Sequence, residues 1–398
     1  MIPKWTLPAI DGARVATDSL VRNTIYAGAQ IDILCLCQQD EKADILEMKK
    51  AWGVREVFIL PRKLPSGKPE KTLYYLKKIL LSPHVPLTFS SFNDESLKRE
   101  TSKIIKAQKY DCIVLDGLHL GVVFFKGWNF VKPQETKIIY RAHNIEADLW
   151  KKAYKEKSNP LLKLVLYFQA LLVEKFERII IDNSDGIAPI AQEDADVIEE
   201  MNPVKQKMLI PLGLNFDNPL KQELQDSTKF LFIGRLDWPP NRDGLEWILK
   251  EVWPTVIKQR PQVKLKIVGS GNKSWLNQYA HLPGLEIVGF VDNIKDAYHD
   301  CQFTIVPITY GSGTRIKVIE AFSMNRRLIS TKMGVQGANL RDEDYVLAES
   351  KTGWIKTLTE ISLDSTALGQ LALSRDYMAS QFGERNIGKR FYDWLTSL

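Results

Sequence analysis

The chain has 398 residues, of which 44% are hydrophobic and 26% are charged, and its formal net charge is +6. This length favours two domains over one, and the composition is that of a globular protein without low-complexity tracts. The mild positive charge favours anionic small molecules or an anionic membrane face as partners, and it does not indicate nucleic-acid binding.

The cysteines and the apolar runs indicate a cytoplasmic protein. The four cysteines are Cys35, Cys37, Cys112 and Cys301. They lie in apolar runs without a CxxC pair, which is typical of buried thiols in a reducing compartment. No basic stretch followed by an apolar run opens the chain, so we expect no signal peptide. The longest apolar run, 161–173, is interrupted by Lys163 and Gln169 and is too short to span a bilayer.

Strands and helices alternate over the first part of the chain. A predicted helix begins near Arg14, others span 69–81, 93–107, 146–156 and 160–180, and one starts at Gln192. Predicted strands span 30–37, 56–60, 110–116, 137–140, 186–190 and 208–210. This alternation is typical of a doubly wound parallel sheet. Residues 1–7 are either the stub of a first strand or no part of the sheet.

A polar stretch at 211–226, with glycine and proline but no periodicity, is interpreted as a linker between two domains. The alternation then restarts, with predicted strands at 229–234, 263–269, 285–289, 303–308, 327–331 and 345–348. Predicted helices span 243–259, 273–280 and 293–299, one begins near Thr314, and the tail 353–397 is helical. We expect an N-terminal domain of residues 1–212, completed by the helix 384–398, and a C-terminal domain of residues 213–383.

The stretch 301–325 combines an apolar strand, the loop Gly-Ser-Gly-Thr at 311–314 and the start of a helix. Unpaired backbone N–H groups and the helix dipole make such an arrangement an anion site. Arg315 and Lys317 add two positive charges in the first turn, where they are unfavourable unless an anion binds. An ordinary strand-to-helix turn with solvated basic residues explains the pattern equally well.

Ligands of parallel sheets bind outside the carboxyl ends of the strands, and many candidate residues lie there. They are His119, His143, Gly234, Arg235, Gly269, Gly271 and residues 311–314, and Gly12 joins them if a strand precedes it. Arg141 and Glu146 beside His143 favour a polar pocket over a buried structural histidine. His119 either lines an acceptor or caps a loop, and Arg14 either forms a loop salt bridge or contacts an acceptor.

The second half contains FLFIGRLDWPPNRDGLEWIL, KLKIVGSG, IVGFVDNIKDAYHDCQFTIVPITYGSGTRIKVIEAF and LISTKMGVQG. Their order and spacing resemble family-4 glycosyltransferases of the GT-B fold, and KIIYRAHNIEADLW and DGARVATDSL are similar to the N-terminal half of these enzymes. The resemblance implies an α/β fold of two Rossmann-like, doubly wound parallel-sheet domains facing across a cleft. It also implies transfer of a sugar from a nucleotide-sugar donor with retention, without metal or other cofactor, in bacterial surface-polysaccharide synthesis.

The resemblance further implies roles for single residues. The catalytic residues would be His143, beside the sugar and the leaving phosphate, and Arg235 and Lys317, which provide positive charge for the donor phosphates. Glu320 would accept hydrogen bonds from the ribose. The donor-binding residues would be Gly12, Gly234, Arg235, Gly269, Phe290, Val291, Ser312, Gly313, Thr314, Arg315, Lys317 and Glu320. Those on the acceptor side would be Arg14, His119, Arg141 and Asn144.

Two positions depart from the family pattern. Counting back from Glu320, Ser312 stands where the family often has the first glutamate of Glu-x7-Glu, which contacts the donor sugar. Residues 238–241, Trp-Pro-Pro-Asn, occupy the place of a lysine that commonly follows the arginine. Our hypothesis is that Arg315 or Lys317 supplies the missing charge.

Several alternatives remain open at this point. The lysines between 151 and 157, next to the apolar run 161–173, either touch anionic lipid at the inner face of the membrane or form a solvated helix face. The acceptor is a glycan, a lipid-linked sugar or another acceptor. Residues 342–344, Asp-Glu-Asp, are interpreted as a polar loop and not as a metal site. A nucleotide-sugar epimerase, a phosphorylase and a non-catalytic subunit are the competing functions, the last one suggested by Ser312.

Overall fold

The computed structural model describes residues 1–7, 12–38, 44–62, 64, 67–82, 85–127, 129–155, 157–221, 228–311, 315–362 and 364–398. The chain divides into two compact units. Unit 1 comprises Met1–Gly213 and Ile387–Leu398, and unit 2 comprises Leu214–Asn386. The divisions fall at 213 and 387, compared with the expected boundaries at 212 and 384.

Unit 1 contains a parallel sheet and the helices that connect its strands. The strands are β1 (Asp32–Cys35), β2 (Glu56–Ile59), β3 (Cys112–Asp116), β4 (Phe125–Lys126), β5 (Asn129–Phe130), β6 (Lys137–Ala142) and β7 (Gly186–Pro189). The helices are α1 (Gly12–Tyr26), α2 (Ile45–Trp52), α3 (Lys68–Leu81), α4 (Glu95–Ala107), α5 (Glu146–Lys155), α6 (Pro160–Asn183) and α7 (Gln192–Met201). Most of these elements were predicted from periodicity. The short helix α2 and the β4–β5 hairpin were not.

The first residues complete the sheet of unit 1. Ile2 bridges Cys35 in parallel, its N–H donates to the Leu34 carbonyl (2.9 Å), and the N–H of Asp116 donates to the Met1 carbonyl (3.1 Å). The stub therefore lies between β1 and β3, which confirms one of the two expected alternatives. With the pairs β1–β2 and β3–β6–β7, the order is β2, β1, stub, β3, β6, β7.

The strand expected at 208–210 is not formed as a ladder. The N–H groups of Met208 and Ile210 do donate to the carbonyls of Ile187 and Pro189, at 3.0 and 2.9 Å. Pro189 has no N–H to donate in return, so the pairing with β7 remains incomplete.

Unit 2 also contains a parallel sheet. Its strands are β8 (Lys229–Ile233), β9 (Lys264–Val268), β10 (Leu285–Gly289), β11 (Phe303–Val306), β12 (Arg327–Ser330) and β13 (Val346–Leu347), in the order β10-β9-β8-β11-β12-β13. Its helices are α8 (Pro239–Trp247), α9 (Trp253–Gln259), α10 (Ile294–Tyr298), α11 (Ile316–Ser323), α12 (Lys351–Glu360) and α13 (Ser365–Phe382). The last helix, α14 (Glu384–Ser397), begins in unit 2 and continues in unit 1. The strand order reverses between β8 and β11, where doubly wound sheets bind ligands.

The helix expected at 243–259 is longer and interrupted. It begins at Pro239, because a proline in the first turn lacks only an N–H that would be unpaired there anyway. A π-helical turn at Ile248–Val252 separates α8 from α9. Pro254 has no N–H for the carbonyl of Lys250, which accounts for the wider turn. The helix expected at 273–280 is a 3₁₀ helix, Ser274–Tyr279.

Two further findings bear on the sequence predictions. All four cysteines are among the described residues, and no disulfide joins them. Within the described ranges, no helix combines the length and the apolar character needed to cross a membrane.

Candidate active site

In unit 2, the candidate residues meet where β8 and β11 end. Gly234 follows β8 with φ of +148°, and a Cβ there would lie 2.7 Å from Nδ2 of Asn241 and 2.9 Å from Nζ of Lys317. At Gly269, after β9, a Cβ would lie 1.7 Å from the Gly234 carbonyl oxygen. Glycine is therefore required at both positions, because side chains and backbone approach closely there.

Lys317 is held at this edge of the sheet. Its Nζ donates to Oδ1 of Asn241 (2.6 Å) and lies 4.9 Å from the centre of the Phe232 ring. Nδ2 of Asn241 in turn donates to the Arg235 carbonyl (2.9 Å), and both Lys317 and Asn241 are buried. Residues 238–241, where the expected lysine is missing, thus provide the amide that holds the lysine of α11.

Burial perturbs the ionisation of Lys317 and Glu320. It lowers the pKa of Lys317 to about 7, against the Glu320 carboxylate and together with the charge of Arg315. It raises the pKa of Glu320 to about 7, against the charge of Lys317 and a hydrogen bond from Tyr298. An anion beside Nζ would stabilise the ammonium form of Lys317. Binding of an anion would therefore raise the pKa of Lys317 and favour its protonation.

The remaining donor-side candidates of unit 2 lie at the same edge. The side chain of Arg235 is 69% exposed, and its Nε donates to Oδ1 of Asp237 (2.8 Å), which raises the pKa of the guanidinium. Phe290 and Val291 follow β10, with Phe290 exposed and Val291 half-buried. Three neighbouring strand ends therefore present Arg235, Gly269 and Phe290.

The glycine loop is described only at its two ends. Gly311 has a φ of +108°, and Arg315, buried, lies with its guanidinium 5.9 Å from the centre of the Trp238 ring. The helix expected near Thr314 begins at Ile316. The candidates Ser312, Gly313 and Thr314 lie outside the described residues.

In unit 1, Asp116 at the end of β3 organises a polar cluster. It accepts hydrogen bonds from Nη1 of Arg141 (2.9 Å) and Oγ1 of Thr17 (2.5 Å), and Nε2 of His143 lies 2.6 Å from its Oδ1. Burial alone would raise the pKa of Asp116, but the charges of His143 and Arg141 and the hydrogen bonds hold it well below its usual range. Because an ionised carboxylate only accepts, Nε2 of His143 carries a proton, which leaves Nδ1 to interact with a ligand.

The acceptor-side candidates differ in their surroundings. Arg141 is 1% exposed and also donates to the Ala16 carbonyl (3.3 Å), so it supports Asp116 from the interior of unit 1. The expectation was that Arg141 would face the acceptor, and its burial is against that role. Arg14 donates from Nε to the Trp5 carbonyl (3.1 Å), and Asn144 is exposed. Gly12 is the first residue of α1.

His119 is enclosed by aromatic rings. Its ring centre lies 5.1 Å from that of Phe92 and 5.9 Å from that of Phe89. Burial, together with the charges of Arg62 and His143, lowers the pKa of His119 to about 4, so it is neutral at pH 7.

Sequence reasoning missed the residues that hold the charged groups in place. Asp116 and Thr17 are 99 positions apart, and Asn241 and Lys317 are 76 positions apart. The only signal was positional, because Asp116 ends a predicted strand and Asn241 belongs to the stretch 238–241 that stands in place of an expected lysine.

The acidic triplet at 342–344 forms a 3₁₀ helix and not the expected loop. Asp344 is buried and accepts hydrogen bonds from Nη2 of Arg341 and Oγ of Ser374, both at 2.7 Å. In the part of the chain that the structure describes, no group of three or more His, Cys, Asp or Glu side chains is arranged to hold a metal ion.

The sequence of unit 2 matches a known family. Residues 227–362 match the model of the family described as Glycosyl transferases group 1. An uncharacterized 44.6 kDa protein in cps region, from Klebsiella pneumoniae, is 24% identical over 325 residues, which cover 76% of this chain and 79% of the relative.

Solved structures share the architecture over the full length. Anabaena Alr3699/HepE in complex with UDP is 11% identical with a TM-score of 0.63, covering 100% of this chain and 99% of that one. Its complex with UDP-glucose is 13% identical with a TM-score of 0.60, at 100% and 98% coverage. A glycosyltransferase from Rickettsia africae is 11% identical with a TM-score of 0.62, at 100% and 97% coverage. The fold is therefore α/β of the GT-B type, which confirms the expected class, and the family match supports glycosyl transfer.

Proposed function

We propose that the chain is a glycosyltransferase that moves a sugar from a nucleotide-sugar donor to a glycan or lipid-linked acceptor with retention of configuration. The observation that carries the proposal is the buried Lys317, held by Asn241 against Gly234 at the strand reversal of unit 2. Its position lies within the segment that matches the family of group 1 glycosyltransferases. The UDP and UDP-glucose complexes of the Anabaena protein support a uridine donor.

The chemistry of transfer requires positive charge at this place. As the glycosidic bond breaks, positive charge develops on the sugar ring and negative charge on the departing diphosphate. A fixed cation in a water-poor site stabilises that leaving group more strongly than the same cation in water. We assign this task to Lys317, with Arg235 at the exposed side of the diphosphate. In this assignment, Lys317 supplies the positive charge of the family lysine that is absent at residues 238–241.

We assign the other donor contacts as the family resemblance implies. Glu320 accepts hydrogen bonds from the ribose, Phe290 and Val291 lie by the base, and Gly234 and Gly269 allow the backbone to approach the donor. In this proposal Arg315 adds positive charge for the diphosphate, and Gly12, Ser312, Gly313 and Thr314 remain candidates for donor contacts. The proposal includes no metal cofactor, so turnover should persist in EDTA.

On the acceptor side, we propose that His143 acts beside the sugar and the leaving phosphate. Nε2 of His143 lies against Asp116, so we assign the contact with the substrate to Nδ1. His119, Arg14 and Asn144 remain the candidates for acceptor contacts. The Klebsiella relative in a cps region supports a polysaccharide or its lipid-linked precursor as acceptor. We place the reaction in the cytoplasm, at the membrane face.

A thermal-shift screen with UDP, GDP, ADP and CMP, followed by product analysis, tests the proposal. A ligand that binds only the folded state raises its melting temperature. We expect a shift with one nucleotide, reduced in Asn241→Ala and unchanged in Asn218→Ala, an exposed asparagine of the same unit. Conversion of the donor without acceptor would indicate an epimerase. No shift with any nucleotide would indicate a non-catalytic subunit.

A further inference from the structure

The helices α5 and α6 form an antiparallel hairpin whose tip carries exposed apolar residues. At the tip, Leu161, Leu164, Val165 and Phe168 follow the i, i+3, i+4, i+7 spacing of one helix face, and all are exposed, Leu161 by 73%. Further along α6, Val173, Phe176 and Ile180 are buried in the core of unit 1. The N-terminal turns of α6 therefore extend an apolar surface beyond the part of the helix that packs on the core.

The hairpin is fixed in its folded form. Tyr154 of α5 meets Tyr167 of α6 edge to face, with ring centres 5.5 Å apart. Lys151 forms an ion pair with Glu174 (3.2 Å). A partner of the apolar face would bind to a preformed surface, so ordering the helices on binding costs little free energy.

The charges at the tip identify the partner. Residues 155–168 contain three lysines and one acidic residue, Glu156. Lys155, Lys157 and Lys163 are exposed around the apolar face. Apolar residues surrounded by lysines are typical of helices that enter the headgroup region of anionic bilayers, where the lysines reach the phosphates. A second copy of this chain would bring like charges together.

We propose that the tip of the α5–α6 hairpin, residues 157–168, docks the protein on an anionic phospholipid membrane. The other end of the hairpin supports the site, because Glu177 of α6 accepts the N–H groups of Glu146 and Ala147, which begin α5 next to His143. α5 spans about 15 Å between the His143 loop and the tip. Docking itself does not depend on glycosyl transfer, but with the proposed function it would bring a lipid-linked acceptor to His143.

Sedimentation with phosphatidylcholine vesicles, with and without phosphatidylglycerol, tests the docking of the full chain. We expect binding that requires phosphatidylglycerol and is weakened by salt. The triple variant Leu161→Ser, Leu164→Ser, Phe168→Ser should bind at least ~10-fold more weakly. The matched control removes three exposed apolar side chains elsewhere, by Val131→Ser, Val204→Ser and Leu373→Ser, and should bind as the wild type does.

Reversing the charge of the lysines at the tip provides a second test of membrane docking. The variant Lys155→Glu, Lys157→Glu, Lys163→Glu should lose binding to the anionic vesicles, whereas Lys250→Glu, Lys258→Glu, Lys356→Glu in unit 2 should retain it. The proposal is overturned if the wild type does not bind, if it binds neutral vesicles equally well, or if the hairpin variants bind normally. A dimer that the apolar variant dissociates would show that a second copy covers the face. The nucleotide-induced thermal shift of each variant reports separately on the donor site.

Discussion

At the residue scale, Lys317 is unfavourable for folding, because its burial lowers its pKa from an ordinary value of 10.5 to about 7. That difference corresponds to roughly 5 kcal/mol of unfavourable free energy for the charged form. Asn241 provides one hydrogen bond, and Glu320 provides an opposing charge that is itself perturbed by burial. A buried cation that destabilises the fold is typical of a site formed for an anion.

We therefore expect Lys317→Met to separate activity from stability. Loss of the ammonium should lower kcat/KM by ~10²–10³-fold, as removal of a charge-stabilising group does in other enzymes. The melting temperature should stay equal or rise, because the cost of one unpaired Asn241 oxygen, about 1–3 kcal/mol, is smaller than the cost of the buried charge. Steady-state kinetics and thermal unfolding measure the two effects.

The control for this prediction is Lys332→Met, an exposed lysine of unit 2, which should change neither quantity. A Lys317→Met protein that is less stable yet fully active would show that the lysine is structural.

Single residues also show which features of the site could be predicted from the sequence. Arg315 and Lys317 were candidates for the missing charge, and the contact of Lys317 with Asn241 gives a physical reason to prefer Lys317. The family resemblance implied an acceptor-side role for Arg141. Its burial against Asp116 depends on a partner 25 positions away, which no local pattern reports.

At the element scale, α8 shows why a glycine inside a helix was needed. A Cβ on Gly244 would lie 2.2 Å from the carbonyl oxygen of Pro307, in the segment after β11. Asn241 lies on the same helix, so a shift of α8 away from Pro307 would also move Asn241 relative to Lys317. Gly369 in α13 has open space around the same position.

We expect Gly244→Ala and Gly369→Ala to have opposite effects. Gly244→Ala should lower the free energy of unfolding by roughly 2–4 kcal/mol, because overpacking against backbone forces the helix to shift. Gly369→Ala should raise it by about 0.5–1 kcal/mol, since alanine restricts the unfolded chain and favours the helix. Denaturant unfolding of both variants provides the comparison, and equal effects would contradict the packing argument.

Glu177 links the start of α5 to the pH dependence of stability. Its carboxylate is fully buried and accepts two N–H groups of α5, at 3.0 Å each. Burial nevertheless raises its pKa to about 7 from an ordinary value of 4.5. The folded state thus binds the proton of Glu177 more tightly than the unfolded state does. The stabilisation of the fold by this protonation is fully present below about pH 4.5 and is lost as pH rises through about 7.

Glu177→Gln should remove this part of the pH dependence. We expect the free energy of unfolding of the wild type, relative to the variant, to fall by ~1–3 kcal/mol between pH 5 and pH 8. Asp194, whose pKa burial raises to about 6, is present in both proteins and cancels in the difference. Parallel pH profiles of the two proteins would refute the assignment.

The elements were largely predictable, because hydrophobic periodicity is local. The failures have specific causes. Pro239 and Pro254 changed the bounds and the geometry of the α8–α9 helix, since a proline acts through the hydrogen bond that it cannot make. The single-residue bridge of Ile2 was too short for a strand pattern, although it completes the sheet.

At the scale of the whole molecule, both units have the same strand order. Counting the stub as the first strand of unit 1, each sheet runs third, second, first, fourth, fifth, sixth along the chain. Both reversals lie between the first and fourth strands, where Asp116 and Lys317 are found. The alternation of strands and helices was predicted from the sequence, and so was the position of the candidate residues at the ends of strands. The partners that fix the charged groups could be identified only in the folded chain.

The division of the chain predicts how it unfolds. Unit 2 is one continuous stretch, but unit 1 needs residues 387–398 from the end of the chain. Ile387, Phe391 and Trp394 are buried in one cluster with residues of α1 and the sheet. A Cβ on Gly186 would lie 2.8 Å from the Trp394 ring, which shows how closely α14 packs on β7.

Removal of residues 387–398 should therefore unfold unit 1 and spare unit 2. The loss of three large apolar side chains costs about 5–9 kcal/mol, at 1.5–3 kcal/mol each. This equals the whole stability of many domains. Calorimetry should show the transition of unit 2 at its usual temperature and that of unit 1 lost or strongly lowered. Lys389→Ala, on the exposed face of α14, should leave both transitions in place. If the truncation instead lowered both transitions equally, the two units would unfold together, and the C-terminal segment would be stabilising more than the sheet of unit 1.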